Sequence, residues 1–322
     1  MVNTKFMVFV FFFSLLFVGF VAILSYFIIS YLFVGLSPTG NGINQIYVFE
    51  SPIISENVNY DSFLGEQLIY ENIRFSNNSI SYFISENCSQ RNLNNLAKAF
   101  FILDAETNLS FYEANEQADI NVYCFNYTLK NGNTHILGEG GPLSILNNSR
   151  YNIIINGSIR LYGESECSYP VLELHEILHV LGFKHSIDKN SIMYNTSDCS
   201  QKITGEIIEK VNFLYKDSQL PDLELKEVKA NFSEDYIDFE AKIVNVGLSR
   251  SNDTKLSLYN GDNLILNYSI GELGIGSGKI ISVRNIKLNN LTNNEIFFVV
   301  DYENEIIEIN EGNNNKTISF LV

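Results

Sequence analysis

The sequence predicts three structural regions: an N-terminal transmembrane helix, an α/β (α+β) domain with a mixed sheet and a site-bearing helix, and a C-terminal all-β sandwich. Three observations carry that expectation. Residues Phe6 to Leu36 hold no charge, strands and helices alternate between Ser79 and Tyr215, and helical periodicity stops after Leu220-Pro221-Asp222. The resulting boundaries are a cytoplasmic stub at 1–5, a signal anchor at 6–36, a spacer at 37–75, a first domain at 76–220 and a sandwich at 221–322.

The uncharged run exceeds the ~20 residues that cross a bilayer as a helix. Lys5 precedes it and Glu50 is the next charge, which favours a cytoplasmic start with the rest of the chain outside. The expected localisation is a single-pass cell-membrane protein whose domains are extracytoplasmic. A cleaved signal peptide and secretion is the alternative, although no A-x-A-like cleavage site follows. N-x-S/T triplets at Asn77, Asn126, Asn156, Asn231 and Asn315 support export and attached glycans. Asn-rich loops are the plain alternative.

The formal charge of −16 argues against nucleic acid and anionic lipid surfaces as partners. Cys88, Cys124, Cys167 and Cys199 are the only cysteines, and an exported chain would use them as two disulfides. Three pairings exist. Cys88–Cys124 with Cys167–Cys199 is preferred, because the second would tie the start of the site-bearing helix to the segment after Met193; four buried thiols is the other reading.

In the first domain, Ile80–Ile84 reads as a strand. Residues Asn92 to Leu103 read as a helix through Leu93, Leu96, Phe100 and Leu103. Leu109–Tyr112 and Ala118–Phe125 follow as strands. Residues Thr134 to Leu146 are broken by Gly138, Gly140, Gly141 and Pro142, and Pro142 marks an edge strand. Tyr151–Tyr162 is the last strand. A helix then opens near Pro170, which suits a first turn because its missing N–H has no partner there. Val171, Leu174, Leu178 and Leu181 form its buried stripe. Thr204 caps a final helix reaching Tyr215, with Glu206 in its first turn.

The chain has four histidines, and three stand in His175-Glu176-x-x-His179-x-x-Gly182-x-x-His185. His175 and His179 are four apart on a helix, so both imidazoles project from one face. Gly182 stands where a helix ends in a left-handed conformation, which turns the chain back to deliver His185. Three imidazoles with a fourth position open is the donor set of a catalytic zinc; structural sites close all four. Glu176 lies about 100° of helix from His175 and reaches a zinc-bound water as general base. Met193 would lie beneath the metal as an apolar floor. The fourth histidine, His135, is left out as a loop residue.

His175 to His185, followed by Ser186, Asp188 and Ser191-Ile192-Met193-Tyr194, resembles the metzincin clan, and most closely its matrixin branch. Ala118-Asp119-Ile120 is similar to the matrixin central strand. The resemblance implies one catalytic Zn²⁺, protein or peptide substrates, and a substrate extended along an edge strand, here Gly138–Leu143. The spacer holds no cysteine, so latency by a thiolate on the metal has no agent. Tyr194 directly follows Met193 and is not assigned to zinc.

Pro221-Asp222-Leu223, Val244-Asn245-Val246-Gly247 and the run from Val300-Asp301 to Glu308, Asn310, Glu311, Asn313 and Asn314 resemble a CARDB module. This is an adhesion-related Ig-like sandwich, which implies a surface ligand and no catalysis. Asp301, Glu303, Glu308 and Glu311 read as an acidic solvated turn; structural Ca²⁺ is the alternative. The expected protein is a membrane-anchored zinc endopeptidase. The rival is a cell-surface adhesion protein whose metalloprotease scaffold holds zinc without turnover.

Overall fold

The computed structural model describes residues 67–320, apart from positions 116, 128, 132, 133 and 290, and two strands ahead of them at 42–49 and 53–54. The membrane anchor is a correction. No helix among the described residues is long and apolar enough to cross a membrane, and the expected span at 6–36 lies outside them. Membrane attachment through that span and the single-pass localisation are therefore not retained.

Strands β1 (Gly42–Phe49) and β2 (Ile53–Ile54) lead into β3 (Ile73–Phe75), β4 (Ser79–Ile84) and helix α1 (Gln90–Glu106). Ser89 caps α1 by accepting from the Asn92 N–H, which satisfies one of the donors a helix start leaves open. Next come β5 (Ser110–Glu113), β6 (Ile120–Cys124), the hairpin β7 (Leu129–Asn131) and β8 (Thr134–Ile136), and the long pair β9 (Gly138–Asn147) and β10 (Asn152–Leu161). The sheet order is β2-β9-β10-β6-β4-β5, with β3 also on β10. β10, β6, β4 and β5 run parallel, and β9 lies antiparallel to β10 with the two-residue β2 on its outer side, which makes the sheet mixed as expected. Pro142 sits opposite Gly157 within β9 and can donate nothing to a ladder, as an edge position allows.

Helix α2 (Val171–Val180) lies on this sheet and α3 (Gly205–Leu214) closes the domain. The apolar stripe understates α2, because all ten of its residues are buried. Its Leu174 and Leu178 share one core with Leu96, Phe100, Ile120, Val122, Ile159 and Val211. At 1% exposure Arg74 is buried too, and it donates to the carbonyls of Leu214 (2.7 Å) and Asp217 (3.2 Å), fixing the end of α3 to β3. Its guanidinium stacks over Tyr215, 4.6 Å from the ring centre, so the buried charge is bonded and faced by π-electrons.

Both preferred disulfides form, Cys88–Cys124 and Cys167–Cys199. The first joins the approach to α1 to the end of β6; the second spans the whole metal motif.

The C-terminal part contributes seven strands: β11 (Leu223–Ser233), β12 (Tyr236–Asn245), β13 (Thr254–Asn260), β14 (Asn263–Gly271), β15 (Gly278–Lys287), β16 (Glu295–Val300) and β17 (Asn315–Ser319). They form two sheets, β1-β15-β12-β11 and β14-β13-β16-β17, around a core that includes Leu225, Phe239, Leu258, Ile281 and Phe298. The eighth strand is β1, which pairs antiparallel with β15 from Gly42↔Arg284 to Phe49↔Gly278. The segment that reads as a spacer thus supplies a strand to a distant sheet.

The acidic residues near the end lock turns. Asp301 accepts from the N–H groups of Glu305 (3.2 Å) and Ile306 (2.9 Å), and Glu311 accepts from the N–H of Glu308 (3.0 Å). Glu308 takes the Leu223 N–H and, at 2.8 Å, the Asn314 amide.

Candidate metal centre

The two histidines of α2 and the one beyond its end converge. His179 Nε2 lies 2.9 Å from His175 Nε2 and 3.2 Å from His185 Nε2. Gly182, at φ +94°, makes the turn that brings His185 back, with its carbonyl accepting from Ile69 N–H at 2.9 Å. A Cβ there would stand 2.6 Å from the Ile73 side chain, so both conformation and space require glycine.

The other ring nitrogens fix the tautomers. His175 Nδ1 is 2.6 Å from the Ile192 carbonyl, and His179 Nδ1 is 2.8 Å from the Phe183 carbonyl. A carbonyl only accepts, so each Nδ1 carries the hydrogen and each Nε2 presents a lone pair. Burial lowers the pKa of His175 to about 4 and that of His179 well below the ordinary value, so neither ring is cationic at neutral pH. Facing lone pairs repel unless a cation stands between them. Imidazole nitrogens about 2.0–2.1 Å from a tetrahedral zinc would be roughly 3.3 Å apart, close to the spacing seen. Among the described residues this is the one group of three or more His, Cys, Asp or Glu side chains that could hold a metal ion. His135, on β8, is exposed and outside it.

Met193 is 2% exposed, in the same core as α2. Its carbonyl accepts from Ser186 N–H at 2.6 Å, and Ile192 N–H donates to Lys202 O at 3.1 Å. This turn therefore aims the Ile192 carbonyl at His175. Tyr194 bridges to Ser186 and is not in the metal group.

Glu176 is 4% exposed and faces β9. Burial pushes its carboxyl up to about 8; the nearby Glu139 charge adds to this, and the Gly140 N–H opposes it. A divalent cation beside it would draw it back toward the ionised form a base requires. Beyond that contact, Glu139 accepts from the Tyr162 hydroxyl at 2.7 Å and pairs with Arg160 at 3.7 Å. Sequence reading missed Glu139, Tyr162 and the two carbonyl partners of the histidines. Backbone carbonyls leave no mark in residue identity, and Glu139 looks like any solvated acid.

Two stretches of the chain match known protein families. Residues 74–215 match the matrixin family and residues 220–318 match CARDB. No curated protein matches the chain. Among solved structures, the CARDB domain of a Pyrococcus furiosus protein, in complex with di-metal ions, is similar at 27% identity. It covers 31% of this chain and 88% of its own, with a TM-score of 0.26. High choriolytic enzyme 1, a hatching-enzyme zinc-protease of Oryzias latipes, is 15% identical over 44% of this chain and 90% of its own, TM-score 0.30. OgpA of Akkermansia muciniphila is 12% identical over 83% and 96%, TM-score 0.22.

Proposed function

Since the chain carries a matrixin metalloprotease domain followed by a CARDB domain, we propose that it is a zinc endopeptidase that cuts extended protein segments laid along β9. The observation that carries this is the meeting of three imidazole nitrogens, two of them on buried neutral rings, beside a buried carboxyl group. Three imidazoles suit zinc among the divalent metals, and they leave a fourth position open. Zinc bound there supplies Lewis acidity and acidifies water.

The remaining steps belong to the protein. His175, His179 and His185 hold the ion, with the Ile192 and Phe183 carbonyls fixing the first two rings. Glu176 takes the proton of the attacking water and passes it to the leaving amine. Met193 fills the space beneath the histidines. The outer edge of β9 from Gly138 to Ser144 has no partner strand among the described residues, so an extended peptide can add there by main-chain pairing. Gly138 and Gly140 bring that edge against Glu176, since a side chain at either would collide with it.

The test is cleavage of casein and of a peptide library by the full chain loaded with one zinc, beside Glu176→Gln. Wild type should cut. The variant should keep its zinc and lose about 10²–10⁴ in kcat. A zinc-loaded wild type that cuts nothing would shift the reading to a binding protein with an inert scaffold. Failure to hold stoichiometric zinc would remove the site assignment.

A further inference from the structure

β9 is held at both ends by different domains. Its start presses on Glu176, while its far end and the turn into β10 are seated on the sandwich. Asn148, 1% exposed, is the centre of that seat. Its amide donates to the carbonyls of Val246 (3.0 Å) and Gly247 (2.8 Å), and its Oδ1 accepts from the N–H groups of Arg150 (3.1 Å) and Tyr151 (2.7 Å). Both side-chain polar atoms are therefore bonded. Gly247 is confined: a Cβ would lie 2.4 Å from Asp222 N. Arg150 pairs with the fully buried Asp222, which Asn313 also supports at 2.6 Å. Tyr151, Ile153 and Leu248 form one apolar cluster across the boundary. On the outer edge, Ile53 and Ile54 pair with Leu146 and Ile145, and the strand just before them, β1, belongs to the sandwich.

We propose that the CARDB domain is a positioning element of the peptidase site, acting through Asn148 on β9, and not a module on a loose tether. This rests on reading the β9 edge as the substrate's seat. A peptide running antiparallel to β9 places the residues N-terminal to its scissile bond toward Ser144, the end that Asn148 secures. Fixing that end in advance removes the entropy a free strand would lose when a peptide pairs with it. Asn148 is a positioning residue, so its loss should appear in KM for long peptides and leave kcat alone.

The experiment uses the full zinc-loaded chain with Asn148→Asp, which replaces two N–H donors by lone pairs facing two carbonyls. Two peptides share one scissile bond; the long one extends along the whole open edge and the short one stops near Gly140. The expected result is a KM about fivefold higher for the long peptide, the size of ordering one short segment. The short peptide, kcat and zinc content should be unchanged. Lys226→Ala, which removes only an exposed contact to Ser149 at 3.1 Å, should match wild type. If Asn148→Asp does not fold, Arg150→Met decides by the same ratio. A folded variant with lower stability and a wild-type long-to-short KM ratio would overturn the proposal, as would an equal fall in kcat for both peptides. If zinc-loaded wild type cuts neither peptide, the peptidase reading itself fails and the positioning role falls with it.

Discussion

A methyl group placed on Gly140 would lie 2.3 Å from the backbone oxygen of Glu176. Strand β9 and helix α2 therefore meet backbone to backbone, with no flexible side chain between them to yield. Gly140→Ala must push strand from helix, and about 1–3 kcal/mol of stability should be lost with most of the activity. At Gly138 the same methyl meets the Glu176 carboxylate, 2.6 Å from Oε1. Gly138→Ala should keep fold and zinc but lower kcat by displacing that carboxylate. Chemical denaturation, metal analysis and kinetics on both variants check this; a fully active Gly140→Ala would contradict it.

Metal removal should cost stability as well as activity. The two buried lone-pair nitrogens 2.9 Å apart repel without a cation, so zinc held between them would favour the folded chain over the unfolded one. Chelation should lower Tm, and zinc at about a thousand times its Kd should restore about 4 kcal/mol. His179→Ala should abolish that response. A Tm indifferent to chelator would remove the argument for a resident ion.

The Cys167–Cys199 bond closes a 32-residue separation that contains every proposed zinc ligand. In the chain-entropy view such a loop contributes about 3–4 kcal/mol. Cys167→Ser with Cys199→Ser should lower the urea midpoint accordingly and speed zinc loss to a chelator. Equal zinc release from both proteins would show that the bond does not guard the site.

Stability should also vary with pH through Glu308. Burial pushes its carboxyl up to about 7, with the Leu223 N–H and the Asn314 amide opposing and the Glu311 and Asp222 charges adding. The folded state thus holds this proton more tightly than the unfolded state does. The contribution is full below the ordinary carboxylate range near 4.3 and is lost as pH rises through about 7. Glu308→Gln should flatten that slope. The Asn314 Oδ1 has no partner, and turning that amide over would let it accept from the new side chain. Urea midpoints between pH 5 and 8 for both proteins decide it.

Much of the site was legible because it is local. Four-residue spacing, the glycine at φ +94° and the turn at Met193 are short-range features, and side-chain identity writes them directly. Thr204 was legible for the same reason, whereas the disulfides join residues 36 and 32 apart and their pairing stood as a preference among three. Arg74 was not, because a buried guanidinium satisfied by the carbonyls of Leu214 and Asp217 depends on residues far along the chain. Nor was the pairing of Ile53 and Ile54 with β9, since a two-residue strand has no periodicity to read. The uncharged run suggested an anchor by length and composition alone, and no described helix supports one.

The pairing of Phe49 with Gly278 also sets an order of assembly. β1 is made early, yet the strand that receives it follows only after the whole peptidase domain has been synthesised. Its edge stays unsatisfied through that interval, and pairing across so long a stretch of chain is slow. The protease core should therefore be compact before the sandwich closes, and the joint between the two domains should be the last part of the molecule to form.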